Sequence, residues 1–168
     1  VFADVFTLPG ASPAKIEKVH LLVNPFAGKK RGRAVAAQVV ELVERAGIEI
    51  TVSYSAYSGH LVTMASALEV GDHDIIAVVG GDGSLSEAIT GRMLLNGKRT
   101  ETFAIVPAGT GNSQAHDLRL STPEEAVEAM LNGRRQALDL ARVELTEGLP
   151  GSTGCLLYTS PSPRDSCA

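Results

Sequence analysis

The segment Ile75-Ile-Ala-Val-Val79, running without a spacer into Gly80-Gly-Asp-Gly-Ser84, limits what this chain can fold into more than any other stretch of it. An unbroken apolar run rich in β-branching has no polar face to turn to water, so it suits a strand covered on both sides. Strands of that kind belong to parallel sheets, in which crossovers return the chain so that every strand ends at one edge. Glycines on both sides of an aspartate at that edge make a turn whose backbone amides no Cβ obstructs. A tight turn needs one or two glycines, and packing alone explains the further one poorly.

The same unit recurs along the chain. Val19-His-Leu-Leu-Val23 is a second short apolar run, ended by Asn24-Pro25 and Gly28. From Arg33 to Ala46, Val35, Val39, Leu42, Val43 and Ala46 fall at helical spacing, and Gly47 supplies a left-handed stop. Glu49 to Ser53 is strand-like, Ser58-Gly59-His60 offers a helix start, and Leu61, Met64, Ala65 and Leu68 share one helical face. After the central strand a helix is expected from about Leu85 to Leu95. Phe103-Ala-Ile-Val106 reads as a fourth strand, and Pro107-Ala-Gly-Thr-Gly-Asn112 leads into another helical stretch. Thr122-Pro-Glu-Glu125 carries a capping box with proline at the first helical position, and that helix ends near Asn132-Gly133. The expected fold is α/β, an open parallel sheet with helices on both faces.

The second half of Ala137–Leu145 alternates at period two, which marks the start of a different, β-rich element over residues 136–154. Residues 1–17 form an N-terminal segment, 18–135 the α/β domain, and 155–168 a Ser/Pro-containing tail without periodicity, expected to be disordered or non-native.

A formal net charge of −4 over 168 residues gives no sequence-wide reason to bind nucleic acid, so any anion site is local. No apolar run approaches the roughly 18 residues that cross a bilayer and no signal-peptide pattern opens the chain, so a cytoplasmic protein is expected. Cys155 and Cys167 both lie in the tail, which leaves the body without disulfide or thiolate chemistry. His20, His60, His73 and His116 lack metal-ligand spacing, and no protein-built metal site is expected. His60 suits capping or turn packing.

In open parallel sheets ligands bind beyond the carboxyl ends of the strands, where the loops after the first, third and fourth strands converge. All three loops are glycine-rich. Backbone amides there, backed by the positive end of the following helix, suit phosphate. The first loop, Asn24 to Arg33, adds Lys29 and Lys30 at a helix entrance, which alone also fits a solvated basic loop. In the second, a carboxylate at Asp82 suits a metal cation, nucleotide ordering or acceptance of a proton from a hydroxyl. In the third, Thr110 and Asn112 add a hydroxyl and an amide. Neither established glycine-loop pattern fits: Val23 stands where the first glycine of a P-loop belongs, and the third glycine of a dinucleotide fingerprint falls on Ser86 or Gln114.

The ordered set Asn24-Pro-x-x-Gly28, Ser58-Gly-His60, Gly80-Gly-Asp-Gly-Ser84 with Glu87, then Pro107-Ala-Gly-Thr-Gly-Asn112, resembles the diacylglycerol kinase catalytic domain family over Lys18 to Val143. The stretch from Thr122 to Val143 is similar to that family's passage from its first domain to its second. The resemblance implies a first domain that binds ATP with Mg²⁺, and a β-sandwich domain that completes a lipid site and is largely missing from this chain. It implies that Asn24, Pro25, Gly28, Lys29 and Ser55 line the nucleotide site with Gly80, Gly81, Asp82, Gly83 and Ser84, and that Glu87, Gly109, Thr110, Gly111 and Asn112 complete it.

Ser55 and Ser84 stand where the family usually has threonine, keeping the hydroxyl and losing a methyl. Asp82 is the candidate catalytic residue, as nucleotide ligand or proton acceptor. The implied reaction moves the γ-phosphate of ATP to a lipid alcohol such as diacylglycerol, a sphingoid base or ceramide, with transient peripheral membrane contact. An NAD kinase-like enzyme shares Gly-Gly-Asp-Gly and the broad fold, and a non-catalytic nucleotide-binding module is the third reading.

Overall fold

The computed structural model describes residues 15–95, 101–133, 135 and 140. In chain order the elements are β1 (Lys18–Val23), α1 (Ala27–Lys30), α2 (Gly32–Arg45), β2 (Glu49–Tyr54), α3 (His60–Ser66), β3 (Asp74–Gly80), α4 (Asp82–Met93), β4 (Thr102–Pro107), α5 (Ser113–Asp117) and α6 (Pro123–Asn132). The strands pair in parallel in the order β2-β1-β3-β4. The chain passes from β1 outward to β2, then back across β1 to β3 and on to β4. Strand order therefore reverses between β1 and β3, and a crevice opens at their carboxyl ends.

The unbroken apolar strands are buried on both faces, as their composition requires. Val19, Leu21, Val23, Ile75, Ala77, Val79 and Val106 point to one side, where Val35, Ala36, Val39 and Val43 of α2 and Ala126, Val127 and Met130 of α6 meet them. Leu22, Ile76, Val78 and Ile105 point to the other, against Leu61 and Ala65 of α3, Leu85, Ala88 and Ile89 of α4 and Ala115 of α5. Helices thus cover both sheet faces. Thr122 caps α6 with both bonds of the capping box, and Gly47 takes φ 76 after α2.

Three expectations need correction. The helix after β3 begins at Asp82 and not near Leu85, so Asp82, Gly83 and Ser84 are its first turn and the true turn is Gly80-Gly81. Ala46, placed on the apolar face of α2, is exposed, while Ala36 is fully buried in its stead. The loop after β1 contains the single turn α1, with left-handed residues inside it. The β-rich stretch expected at 136–154 and the tail at 155–168 lie outside the described residues, apart from Leu140.

Candidate functional site

Three turns meet where β1, β3 and β4 end. The Asn24 amide donates to the carbonyl of Val79 at 2.9 Å, carrying the β1–β3 pairing one residue past the strand. Its Oδ1 accepts from the Phe26 amide at 3.0 Å, an Asx-turn that bends the chain away from the sheet around buried Pro25, and its Nδ2 donates to Ser84 Oγ at 3.2 Å. Gly28, Lys29 and Lys30 follow with φ 54, 62 and 69. Left-handed backbone costs a residue bearing a Cβ roughly 1–2 kcal/mol, and such strain gathers at functional sites. Arg31 Nε donates to the Gly28 carbonyl at 3.1 Å and braces the turn, while the Ala108 carbonyl fills the space a Cβ on Gly28 would need.

The second and third turns touch backbone to backbone. The Gly80 carbonyl accepts from the amides of Ala108 and Gly109 at 2.9 and 3.1 Å. A Cβ on Gly81 would overlap the Gly111 carbonyl, and one on Gly109 would sit 2.7 Å from Gly81 Cα. Gly83 differs, because nothing lies within 4 Å of its Cβ position and it faces solvent. Packing does not demand glycine there.

Asp82 joins two helices. Its amide donates to the Gly111 carbonyl at 3.1 Å, and its carboxylate accepts from the Ser113 amide at Oδ2 (2.9 Å) and the Gln114 amide at Oδ1 (3.0 Å). The side chain thus caps α5 from the start of α4, with its charge at the positive end of both. Asn112, expected to face a ligand, is turned onto its own loop: it accepts from the Gly109 amide at 3.1 Å and donates to the Gly109 carbonyl at 2.8 Å. Thr110 and Gly111 form the exposed tip.

Asn24, Gly28, Gly80, Gly81, Asp82, Ser84, Gly109, Gly111 and Asn112 are therefore one connected network. Ser55 is buried beside it, its amide donating to the Val23 carbonyl at 2.8 Å. The turn after Ser55 is held by His60, whose Nδ1 accepts from the Ala56 amide at 3.0 Å and whose ring stacks on Tyr57 at 4.5 Å. Lys29 is exposed, and Glu87 is half-buried one turn into α4. Among the described residues, the amides of Gly28, Lys29, Gly83, Ser84, Thr110 and Gly111 have no protein acceptor. Backbone donors at a strained turn, a helix start and a glycine loop are the set that an anion with several oxygens can satisfy. An open groove continues from the third turn along α5, lined by Pro107, Thr110, Asn112, His116 and Leu120.

Two polar clusters escaped the sequence reading. His20, buried in β1, has Nε2 3.1 Å from Asp74 Oδ2 and Nδ1 3.2 Å from Thr51 Oγ1, which braces β1, β2 and the start of β3. Burial pushes the Asp74 carboxyl upward. The Gly71 amide, the His20 ring and Lys18 outweigh that and hold it below the usual aspartate range. Arg92, also buried, pairs with Glu101 at 2.6 Å and donates to the carbonyls of Ala65 and Leu68, at 3.0 and 2.7 Å, where α3 ends. Among the described residues no group of three His, Cys, Asp or Glu side chains is placed to hold a metal, and no helix is long and apolar enough to cross a membrane.

Fold and site together define an open α/β domain with glycine-rich backbone turns gathered at its strand-order reversal. Residues 18–143 match the diacylglycerol kinase catalytic domain model, and the chain belongs to that family of lipid kinases. Sphingosine kinase B of Dictyostelium discoideum is 31% identical over 143 residues, covering 82% of this chain and 18% of that protein. A diacylglycerol kinase of Bacillus subtilis is 25% identical over 130 residues, 76% of this chain and 42% of its own. The crystal structure of a diacylglycerol kinase from Bacillus anthracis superposes with TM-score 0.65 at 27% identity, over 77% of this chain and 47% of that one. The chain thus spans less than half the length of these relatives.

Proposed function

We propose that this chain is the nucleotide-binding part of an ATP-dependent lipid kinase. The observation that carries the reading is the convergence at the β1–β3 reversal of three glycine turns in which the amides of Gly28, Lys29, Gly83, Ser84, Thr110 and Gly111 lack protein acceptors. In this reading the phosphates of ATP take the amides of Gly28, Lys29, Gly83 and Ser84, with the Lys29 ammonium and the α4 N-terminus supplying positive charge. Asn24, Pro25, Gly80, Gly81, Gly109, Gly111 and Asn112 hold the turns in register, and Ser55, Glu87 and Thr110 border the nucleotide. Catalysis is by positioning and charge stabilisation. A lipid hydroxyl oxygen bonds to the γ-phosphorus, the bond from that phosphorus to the β–γ bridging oxygen breaks, ADP leaves with the electron pair, and the hydroxyl proton passes to a base.

Asp82 is the candidate for that chemistry. Its oxygens already accept one amide each, so its first task is to fix α5 against α4 and thereby the loop between Gly109 and Asn112. Asp82 is the network's one carboxylate, so Mg²⁺ fits here only as a companion of the nucleotide phosphates, its usual mode of binding. It supplies charge neutralisation on the transferring group.

Nucleotide binding is tested on this chain by calorimetry with Mg-ATP, and transfer on protein extended to the length of the relatives, with diacylglycerol, sphingosine and NAD as acceptors. Transfer to a lipid is expected. Transfer to NAD alone would establish the NAD kinase-like reading, and Mg-ATP binding without transfer to any acceptor the non-catalytic one. Localisation in the cytoplasm with transient membrane contact belongs to the same proposal.

A further inference from the structure

Aromatic side chains are scarce in this chain, and most of those the structure describes gather at one corner. The sequence has no Trp, and of the four Phe and Tyr residues described, Phe26, Tyr54 and Tyr57 stand where β1 and β2 end. Phe26 is 60% and Tyr57 62% exposed. β1 and β2 pair in parallel with Val23 opposite Tyr54, and the Ser55 amide carries that pairing one residue further by donating to the Val23 carbonyl at 2.8 Å. Phe26 and Tyr57 each come three residues after the Val23–Tyr54 pair. Both therefore leave neighbouring strand ends, Phe26 just before the turn at Gly28 and Tyr57 just after buried Ser55.

Neither ring is fixed by burial in the core, yet both are held. The Phe26 amide donates to Asn24 Oδ1 at 3.0 Å, and Nδ2 of the same side chain reaches Ser84 Oγ, so the backbone that bears the Phe26 ring is tied to the first turn of α4. His60 Nδ1 accepts from the Ala56 amide at 3.0 Å, and the His60 ring stacks on Tyr57 with centroids 4.5 Å apart and planes 15° from parallel. A flat ring already set at a fixed angle loses little freedom when a second flat ring lies on it, so stacking here is cheap in entropy. The polar side chains nearby are already engaged: Asn24 as above, Arg31 Nε with the Gly28 carbonyl at 3.1 Å, and the Arg33 guanidinium over the Tyr54 ring at 4.5 Å. The corner offers ring faces to lie on, not a donor and acceptor pattern that reads the edge of a base.

We propose that Phe26 and Tyr57 are the platform for the base of the nucleoside triphosphate, and that this platform holds the base by stacking, so that adenine and guanine are accepted alike. The inference rests on the nucleotide-binding reading. With the phosphates on the amides of Gly28, Lys29, Gly83 and Ser84, the base is carried outward past Ser55 toward the two rings. Stacking tolerates either purine because each presents a π-face, and a pyrimidine covers less of the platform.

The test is calorimetry on this chain with magnesium and, in turn, ATP, GTP, CTP and inorganic tripolyphosphate. ATP and GTP should bind within about threefold of each other and CTP more weakly, while tripolyphosphate should bind roughly tenfold or more below ATP, the factor that stacking of one base on an aromatic side chain supplies. Phe26→Ala with Tyr57→Ala should bring ATP and GTP down to near the affinity of tripolyphosphate and leave tripolyphosphate itself unmoved. Phe26→Tyr with Tyr57→Phe, which keeps both rings, should bind ATP as the wild-type chain does. Tripolyphosphate bound as tightly as ATP, ATP preferred over GTP by roughly tenfold or more as hydrogen bonds to a base edge would give, or ATP affinity unchanged in the double alanine variant would overturn the proposal. The series on the wild-type chain decides even if that variant does not fold. In each of those outcomes ATP is still bound, so the nucleotide-binding reading would stand without the platform. A wild-type chain that binds none of the four would remove both.

Discussion

The carboxyl ends of the strands and the body beneath them use polar groups in opposite ways. Beneath, the buried polar side chains among the described residues find partners: Arg92 meets Glu101 and two carbonyls, and His20 lies between Asp74 and Thr51. At the carboxyl ends the side chains of Asn24, Asp82 and Asn112 are consumed in holding loops, and it is backbone amides, those of Gly28, Lys29, Gly83, Ser84, Thr110 and Gly111, that stay without protein acceptors. A body closed in this way can carry an edge that is strained and open, because stability and recognition rest on different residues.

That division is broken most severely from below. Arg92→Ala removes the cation beside half-buried Glu101 and the donor at the end of α3, which should cost about 3–5 kcal/mol. Urea unfolding of the chain measures it. Replacing Arg92 and Glu101 together by leucine should recover most of the loss, because no half-buried charge then remains at the site. If the single variant is as stable as wild type, the body is not what carries the edge.

The next test works on the edge itself. Gly28→Ala puts a Cβ into the Ala108 carbonyl at φ 54, whereas Gly47→Ala meets nothing within 4 Å at φ 76. Both strain the backbone, so Gly47→Ala should cost on the order of 1 kcal/mol and leave nucleotide affinity alone. Gly28→Ala adds overpacking of roughly 1–3 kcal/mol and should also lower Mg-ATP affinity by calorimetry, since it displaces the turn that offers the Gly28 and Lys29 amides. Equal nucleotide affinity in the two variants would detach the first turn from the site.

How much of this was legible in the sequence follows from what a side chain does. Unbroken apolar strands such as Ile75–Val79, and the capping box at Thr122, state their environment locally, and both were found in place. The start of α4 was misjudged because Gly-Gly-Asp-Gly-Ser reads as a turn on glycine content, while the helix takes in Gly83 because an aspartate at its first position and an open flank tolerate it. The convergence of the three turns was readable from topology alone. That Asp82 and Asn112 hold loops was not, since their partners sit 31 or 32 residues away or on the loop's own backbone. His20 and Arg92 gave no signal either. Their partners are set by strand register and helix packing, which a single sequence does not display.

Asp82→Asn separates the scaffold role of the carboxylate from chemistry. A carboxamide keeps one acceptor and turns an NH₂ toward the other α5 amide, so a loss of about 1–2 kcal/mol is expected, confined to α5. Hydrogen exchange should show the Ser113 and Gln114 amides exposed while β3 stays protected. In the extended enzyme, a fall in transfer rate far beyond the accompanying loss of ATP affinity would add a proton-accepting role to the scaffold one. Near wild-type transfer would remove Asp82 from the chemistry altogether.

The smallest expected effect lies in the body and has a sign that can be worked out. The Asp74 carboxyl is held below its ordinary value of 3.8 in the folded chain, so at acid pH the unfolded chain binds the proton that the folded one refuses. The stabilisation is therefore fully present above 3.8 and is lost as pH falls through the lower folded value. Asp74→Asn keeps a carbonyl for the Gly71 amide or for His20 Nε2 but removes the charge. It should cost about 1 kcal/mol at neutral pH and flatten the acid limb of a stability–pH curve, so that wild type and variant converge below pH 3.8. Nucleotide affinity at neutral pH should not move, because Asp74 opens β3 at the end of the strand opposite Gly80. If affinity falls with Asp74→Asn while stability holds, the two ends of the sheet are coupled and the division between closed body and open edge does not describe this fold.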